Sequence, residues 1–326
     1  MLKTRLFAAV LAGCLLAGAS SAMAAENAHY ASKVLDVKPE RAMVRYIPGI
    51  VYEQVPSRGY QNVAMEMDML KPDKKEKMPA IIYVTGGGFI NANRANAIQE
   101  RMRLAEEGYV VVSITYRVAP AAVFPEPLED VKAAVRYLKA NAGKFNIDKN
   151  RIGIMGGSAG GYLAAMAGVT SGSRTFDKGE NLQETSDIKC VVDLYGVSDL
   201  TRIGDDYSAE VQQMHRSAGA TEALWVNGSP VFGGKDGGIF ANPEGADRAN
   251  PLKYINKRSA PMLLMHGDAD TVVSPSQSDI LYQELKKNNI EAERYIVRGA
   301  AHGGQYWVQD GVLDIIVEFF DRYLKK

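Results

Sequence analysis

Cysteine is almost missing from this chain of 326 residues: Cys14 and Cys190 are the only two. Neither charge sign is in excess, since Lys+Arg and Asp+Glu both count 38. That balance leaves nothing to steer the chain toward nucleic acid or an anionic membrane surface. No apolar run is long enough to span a bilayer. Internal repeats and low-complexity blocks are absent. Three glycines follow an apolar run at 86–88, yet no G-K-[ST] comes after them and no G-x-G-x-x-G occurs, so phosphate-loop and dinucleotide readings fail. What remains is ordinary globular composition, 46% hydrophobic and 23% charged.

The first 24 residues read apart from the fold. Lys3 and Arg5 precede an apolar stretch from Leu6 to Gly18, and Ala22-Met23-Ala24 supplies an A-x-A site. This is the pattern of a bacterial secretory signal cleaved before Ala25, which predicts an exported protein, periplasmic or secreted. Leu11-Ala12-Gly13-Cys14 is a competing lipoprotein box, with Cys14 as anchor. After removal of the leader Cys190 is alone, so no internal disulfide is expected, and its apolar surroundings fit a small core residue. Residues 25–48 are expected to form an arm, and 49–326 a single catalytic domain.

Along that domain strand and helix patterns alternate. Gly49–Val55 and Asn62–Leu70 read as strands, the second with Val63, Met65, Met67 and Met69 at period two. Ala80–Thr85, Tyr109–Tyr116, Arg151–Gly156, Ile188–Leu194, Pro261–His266 and Ala292–Val297 follow as strand candidates. Helices are expected within Arg94–Glu107, around Leu128, Val131, Val135 and Leu138, over Ser158–Gly168, from Pro275 with Ser274 as N-cap, and over Gly311–Leu324 with Val312, Ile316, Phe319 and Tyr323 inward. The alternation predicts a mostly parallel sheet with helices on both faces. Residues 197–250 break the rhythm and read as a cap-like insertion over one edge, helical around Ala209–Ala218.

Gly156-Gly157-Ser158-Ala159-Gly160 has the form G-x-S-x-G between an apolar strand and an Ala-rich helix. That setting projects a serine hydroxyl from a tight turn, as a nucleophile requires. A serine needs a base, and the four histidines are His29, His215, His266 and His302. With chain order serine, acid, histidine, His302 in "RGAAHGGQ" is the candidate base. The acid lies in "LLMHGDAD"; Asp270 is assigned to orient His302, and Asp268 to bond loop amides. Acyl transfer also needs amides aimed at the developing oxyanion, which the Gly86-Gly87-Gly88 loop and Ala159 supply.

The stretches "TGGGF", "GIMGGSAGG" and "MHGDADTVVSPSQS…RGAAHGG" resemble α/β-hydrolase carboxylesterases, the hormone-sensitive-lipase-like group and the related bacterial feruloyl and acetyl-xylan esterases. The resemblance runs from about residue 50 to the C-terminus and is weakest over 197–250. It implies a roughly eight-stranded sheet, a triad of Ser158, Asp270 and His302, oxyanion donors at Gly87, Gly88 and Ala159, and no cofactor or metal. It implies a small-molecule or carbohydrate-linked ester as substrate. Thr85 stands where these esterases usually carry a histidine that braces the loop. Trp225, Phe240, Tyr306 and Trp307 are candidate pocket walls. A peptidase or amidase of the same fold, and a non-catalytic binding module, are the alternative readings.

Overall fold

The computed structural model describes residues 32–57 and 59–326. The signal-peptide reading of residues 1–24 therefore lies outside the described residues. Residues 32–40 carry no regular secondary structure, and 41–326 form one compact unit.

Eight strands make one sheet: β1 (Val44–Ser57), β2 (Tyr60–Pro72), β3 (Met78–Val84), β4 (Val110–Ile114), β5 (Ile147–Gly157), β6 (Val191–Leu194), β7 (Met262–Gly267) and β8 (Ala292–Val297). Their spatial order is β1-β2-β4-β3-β5-β6-β7-β8. β1 pairs antiparallel with β2, and β2 with β4; every later pairing is parallel. This is the α/β-hydrolase fold. β3 and β4 are buried at every position, because helices cover both faces of the central sheet.

The pleat divides the core into two layers. Ile82, Val112, Ile154 and Leu264 face α2 (Glu126–Ala140), α3 (Ala159–Val169) and α4 (Ser276–Lys287). Ile81, Val111, Met155 and Leu263 face α1 (Ile98–Glu106) and α5 (Asp310–Leu324). The stripe Leu128, Val131, Val135 and Leu138 on α2 is fully buried, each side chain contributing about 1.5–3 kcal/mol. On α5, Phe320 and Leu324 join Val312, Ile316 and Phe319 in the core, while Tyr323 stays half-buried.

Several boundaries differ from expectation. The last residues of the expected arm, from Val44 on, pair with β2 as part of β1. Inside the expected span Arg94–Glu107 the helix occupies Ile98–Glu106, starting after Ala97 takes a left-handed φ of 58° that a helix cannot continue through. α4 begins at Ser276, and the Ser274 hydroxyl accepts the Ser276 amide at 3.1 Å.

The insertion between β6 and β7 holds three short α-helices, Ala209–His215, Thr221–Asn227 and Pro243–Arg248, along with 3-10 turns. It is pinned at the carboxyl ends of the strands. The Trp225 ring packs 4.6 Å from Phe89, the Tyr162 hydroxyl donates to the Ala249 carbonyl at 2.7 Å, and the Tyr207 hydroxyl donates to the Asp270 carbonyl at 3.0 Å.

Candidate active site

β5 ends at Gly157 and α3 starts at Ala159, leaving Ser158 alone at the turn with φ 57° and ψ −127°. A non-glycine residue held there costs on the order of 1–3 kcal/mol. The turn closes this tightly because position 160 has no side chain; a Cβ there would collide with the Val84 carbonyl of β3. The strain is set by packing and aims the hydroxyl out of the sheet.

His302 follows β8 and reaches back over the strand ends. Its Nε2 lies 2.8 Å from Ser158 Oγ, and its Nδ1 lies 2.7 Å from Asp270 Oδ2. The edge-to-face Tyr195 ring, 4.9 Å away, fixes the imidazole plane, and Trp307 backs Tyr195 at 4.5 Å.

Asp270 is buried in the loop after β7. Its Oδ1 accepts the Val272 and Val273 amides at 2.8 and 3.0 Å. Its Oδ2 also lies 3.2 Å from Nε2 of His266, which in turn is 3.0 Å from the Val273 carbonyl. Both of those partners are acceptors, so His266 carries its proton on Nε2. Burial alone would raise the Asp270 carboxyl; the hydrogen bonds from His266, His302 and the Val272 amide outweigh it and hold the group well below the usual carboxylate range. Asp268 stands apart, accepting the Gly299 amide at 2.6 Å.

The glycine loop faces Ser158 across a close approach: a Cβ on Gly86 would sit 2.6 Å from the Gly157 carbonyl. Among the described residues, no protein acceptor takes the amides of Gly87, Gly88 or Ala159. The loop is braced without a histidine. The buried Tyr116 hydroxyl donates to the Thr85 carbonyl at 2.7 Å, the Gly87 carbonyl accepts the Ile90 and Asn91 amides, and the Phe89 carbonyl accepts the Ala119 amide.

A cavity of about 450 Å³ opens over Ser158 and His302, lined also by Tyr83, Thr85, Asn96, Glu100, Tyr195 and Val272. None of the four aromatics proposed as walls lines it. Trp225 is fully buried against Phe89 and Tyr162, and Trp307 is buried with its indole N–H donating to the Ala301 carbonyl at 3.1 Å. Phe240 lies under the Arg216 guanidinium at a separate small cavity, and the exposed Tyr306 sits beside Gly299. His215 is elsewhere, paired with Glu222 at 2.7 Å inside the insertion, and His29 lies outside the described residues. Glu100 escaped the sequence reading, because a glutamate in the first turn of a helix normally faces water. Among the described residues no cluster of three or more His, Cys, Asp or Glu is placed to hold a metal ion.

The family model BD-FAE matches residues 67–285. Esterase LipC of Mycobacterium tuberculosis is 32% identical over 229 residues, 69% of this chain and 53% of LipC. The chain spans about half the length of the curated relatives it matches. Among solved structures, a truncated carbohydrate esterase from gut microbiota superposes with a TM-score of 0.73 at 28% identity, covering 89% of this chain and all of that one. The propionate-bound esterase Est2 of Thermogutta terrifontis shares the fold, with a TM-score of 0.64 at 24% identity, covering 88% of this chain and 97% of that one.

Proposed function

The chain belongs to the BD-FAE family, and from that premise we propose that it is a serine carboxylesterase working through an acyl-enzyme. One observation carries the reading: an unbroken hydrogen-bond path from Asp270 through His302 to a strained Ser158, beside three untaken amides. Ser158 Oγ attacks the ester carbonyl while His302 Nε2 takes its proton. Asp270 stabilises the imidazolium without being protonated. The carbonyl oxygen, now negative, accepts hydrogen bonds from Gly87, Gly88 and Ala159, each worth about 3–4 kcal/mol in the transition state. Collapse breaks the bond to the alcohol, which leaves with the proton from Nε2. Water, deprotonated by the same nitrogen, then releases the acid and restores Ser158.

Acetyl or feruloyl esters of plant polysaccharide are the substrates we favour. The likeness to a carbohydrate esterase along its whole length and the Thr85, Asn96 and Glu100 side chains among the cavity's lining support that choice. Export through residues 1–24 would place the enzyme where such polymers are met; a mature mass starting at Ala25, and no lipid on Cys14, is the expected result.

The test is Ser158→Ala with p-nitrophenyl acetate. Hydrolysis should fall roughly 10⁴-fold or more, and a fluorophosphonate probe should label the wild-type serine alone. Retained turnover in the variant, or a wild-type protein that takes no label, sinks the proposal.

A further inference from the structure

The deep wall of the cavity over Ser158 is polar and short of partners. Tyr83, Thr85 and Glu100 line it while being only 3%, 1% and 8% exposed. The Thr85 hydroxyl has no hydrogen-bond partner among the described residues. Burial pushes the Glu100 carboxyl up; only a hydrogen bond from its own amide and, after that, the neighbouring Arg101 cation oppose this. Tyr83 lies within the electrostatic reach of Glu100, Arg101 and Tyr195. Asn96 stands exposed at the rim.

A buried polar atom without a partner costs free energy until a ligand supplies one. An ionised carboxylate only accepts, so the ligand must bring donors. An alkyl chain would leave Glu100 dry and unpaired, and an anionic group would be repelled. In an acetyl ester the acyl group has no donor to give, so there the donors belong on the alcohol side.

We infer that Glu100, Thr85 and Tyr83 form the alcohol subsite, and that the alcohol is a neutral sugar whose neighbouring free hydroxyls donate to Glu100. This rests on the esterase reading of Ser158. Glu100 is here a specificity-determining residue. Two acceptor oxygens side by side match a vicinal diol.

The experiment compares kcat/KM for a monoacetylated methyl xyloside with that for p-nitrophenyl acetate, in wild type, Glu100→Gln and Thr85→Val. The glycoside-to-nitrophenyl ratio should fall roughly ten- to hundredfold in Glu100→Gln and less in Thr85→Val, which keeps the side-chain volume. Unesterified methyl xyloside should slow fluorophosphonate labelling of the wild type, and less so of Glu100→Gln. An unchanged ratio in both variants overturns the inference. So does a fall confined to acetylated xylan, which would place recognition on the polymer, or one confined to methyl ferulate or acetylcholine, which would place it on a phenol or a cation. A wild type that cleaves p-nitrophenyl acetate but shows no Glu100 dependence leaves the esterase reading standing and removes this one. A wild type that cleaves no ester removes both.

Discussion

Asp270→Asn changes two atoms' worth of chemistry and should nearly abolish turnover. Every group around the carboxylate is a donor: the Val272 and Val273 amides on Oδ1, and the His302 and His266 ring N–H groups on Oδ2. An asparagine has one acceptor oxygen and one NH₂. If its oxygen keeps the two backbone amides, the NH₂ faces His302 Nδ1 and drives the ring to the tautomer protonated on Nε2. That nitrogen then donates to Ser158 Oγ and cannot take its proton. If the oxygen turns to the histidines instead, the NH₂ is pressed against two backbone donors. The first arrangement loses the base, and the second loses two amide bonds to a charge, each worth about 1.5–3 kcal/mol. Either way the imidazolium formed during attack loses its counter-charge.

A change of this kind is expected to lower kcat by about 10³–10⁴-fold, or roughly 4–5.5 kcal/mol. Burst-phase and steady-state kinetics with p-nitrophenyl acetate measure it directly. Stability should fall as well. The native Asp270 carboxyl titrates below its unfolded value, so its contribution is fully present above about pH 4 and is lost as pH falls through the lower native value. The penalty of the substitution on thermal unfolding should therefore be larger at pH 7 than at pH 3. A variant with kcat within about threefold of wild type would refute the tautomer argument, and the role assigned to Asp270 with it.

Two further outcomes test other parts of the site. Tyr116→Phe removes the donor to the Thr85 carbonyl, so the glycine loop should loosen; kcat should fall roughly tenfold with KM nearly unchanged, since the loop amides act on the transition state. A KM effect with kcat intact would show that Tyr116 serves substrate binding. Asp193, under the elbow in β6, has its carboxyl pushed up to about 7 by burial, against the opposing pull of the Gly196 amide. Its native pKa is raised, so native stability falls as pH climbs from about 4 to 7. Asp193→Asn should flatten that decline in denaturant midpoints, and a decline as steep as wild type would refute the assignment.

The sheet and the triad were legible because both leave local traces. The central strands are short apolar runs, and Ser158, Asp270 and His302 each follow a strand in the chain order the fold demands. The pocket was not legible, since its walls depend on which loops meet. "NAIQERMRL" reads as the start of an ordinary amphipathic helix. Glu100 is buried where its helix's first turn shares one cavity with the loop carrying Gly86–Gly88 and with Tyr83. The aromatic candidates gave the opposite error: Trp225 of the insertion and Trp307 after His302 drew attention by their size, and size is also why both are packed away from solvent.

Those buried aromatics answer the question raised by Thr85. β3 and β4 run parallel with Val84 opposite Ile114, so the chain leaves both strands side by side and brings Tyr116 next to the Thr85 carbonyl. Four residues on, Phe89 takes a φ of 66°, a conformation that costs a side chain on the order of 1–3 kcal/mol. The cost is offset where Phe89 packs between Trp225 and Tyr162, aromatic pairs worth about 0.5–1.5 kcal/mol each beyond their burial. Tyr162 belongs to the helix that starts at the nucleophile, and Trp225 to the insertion. The glycine loop is thus clamped between the strand ends, the nucleophile's own helix and the insertion. Position 85 is left with a buried hydroxyl that no other described residue bonds, where a histidine would have been occupied as a brace.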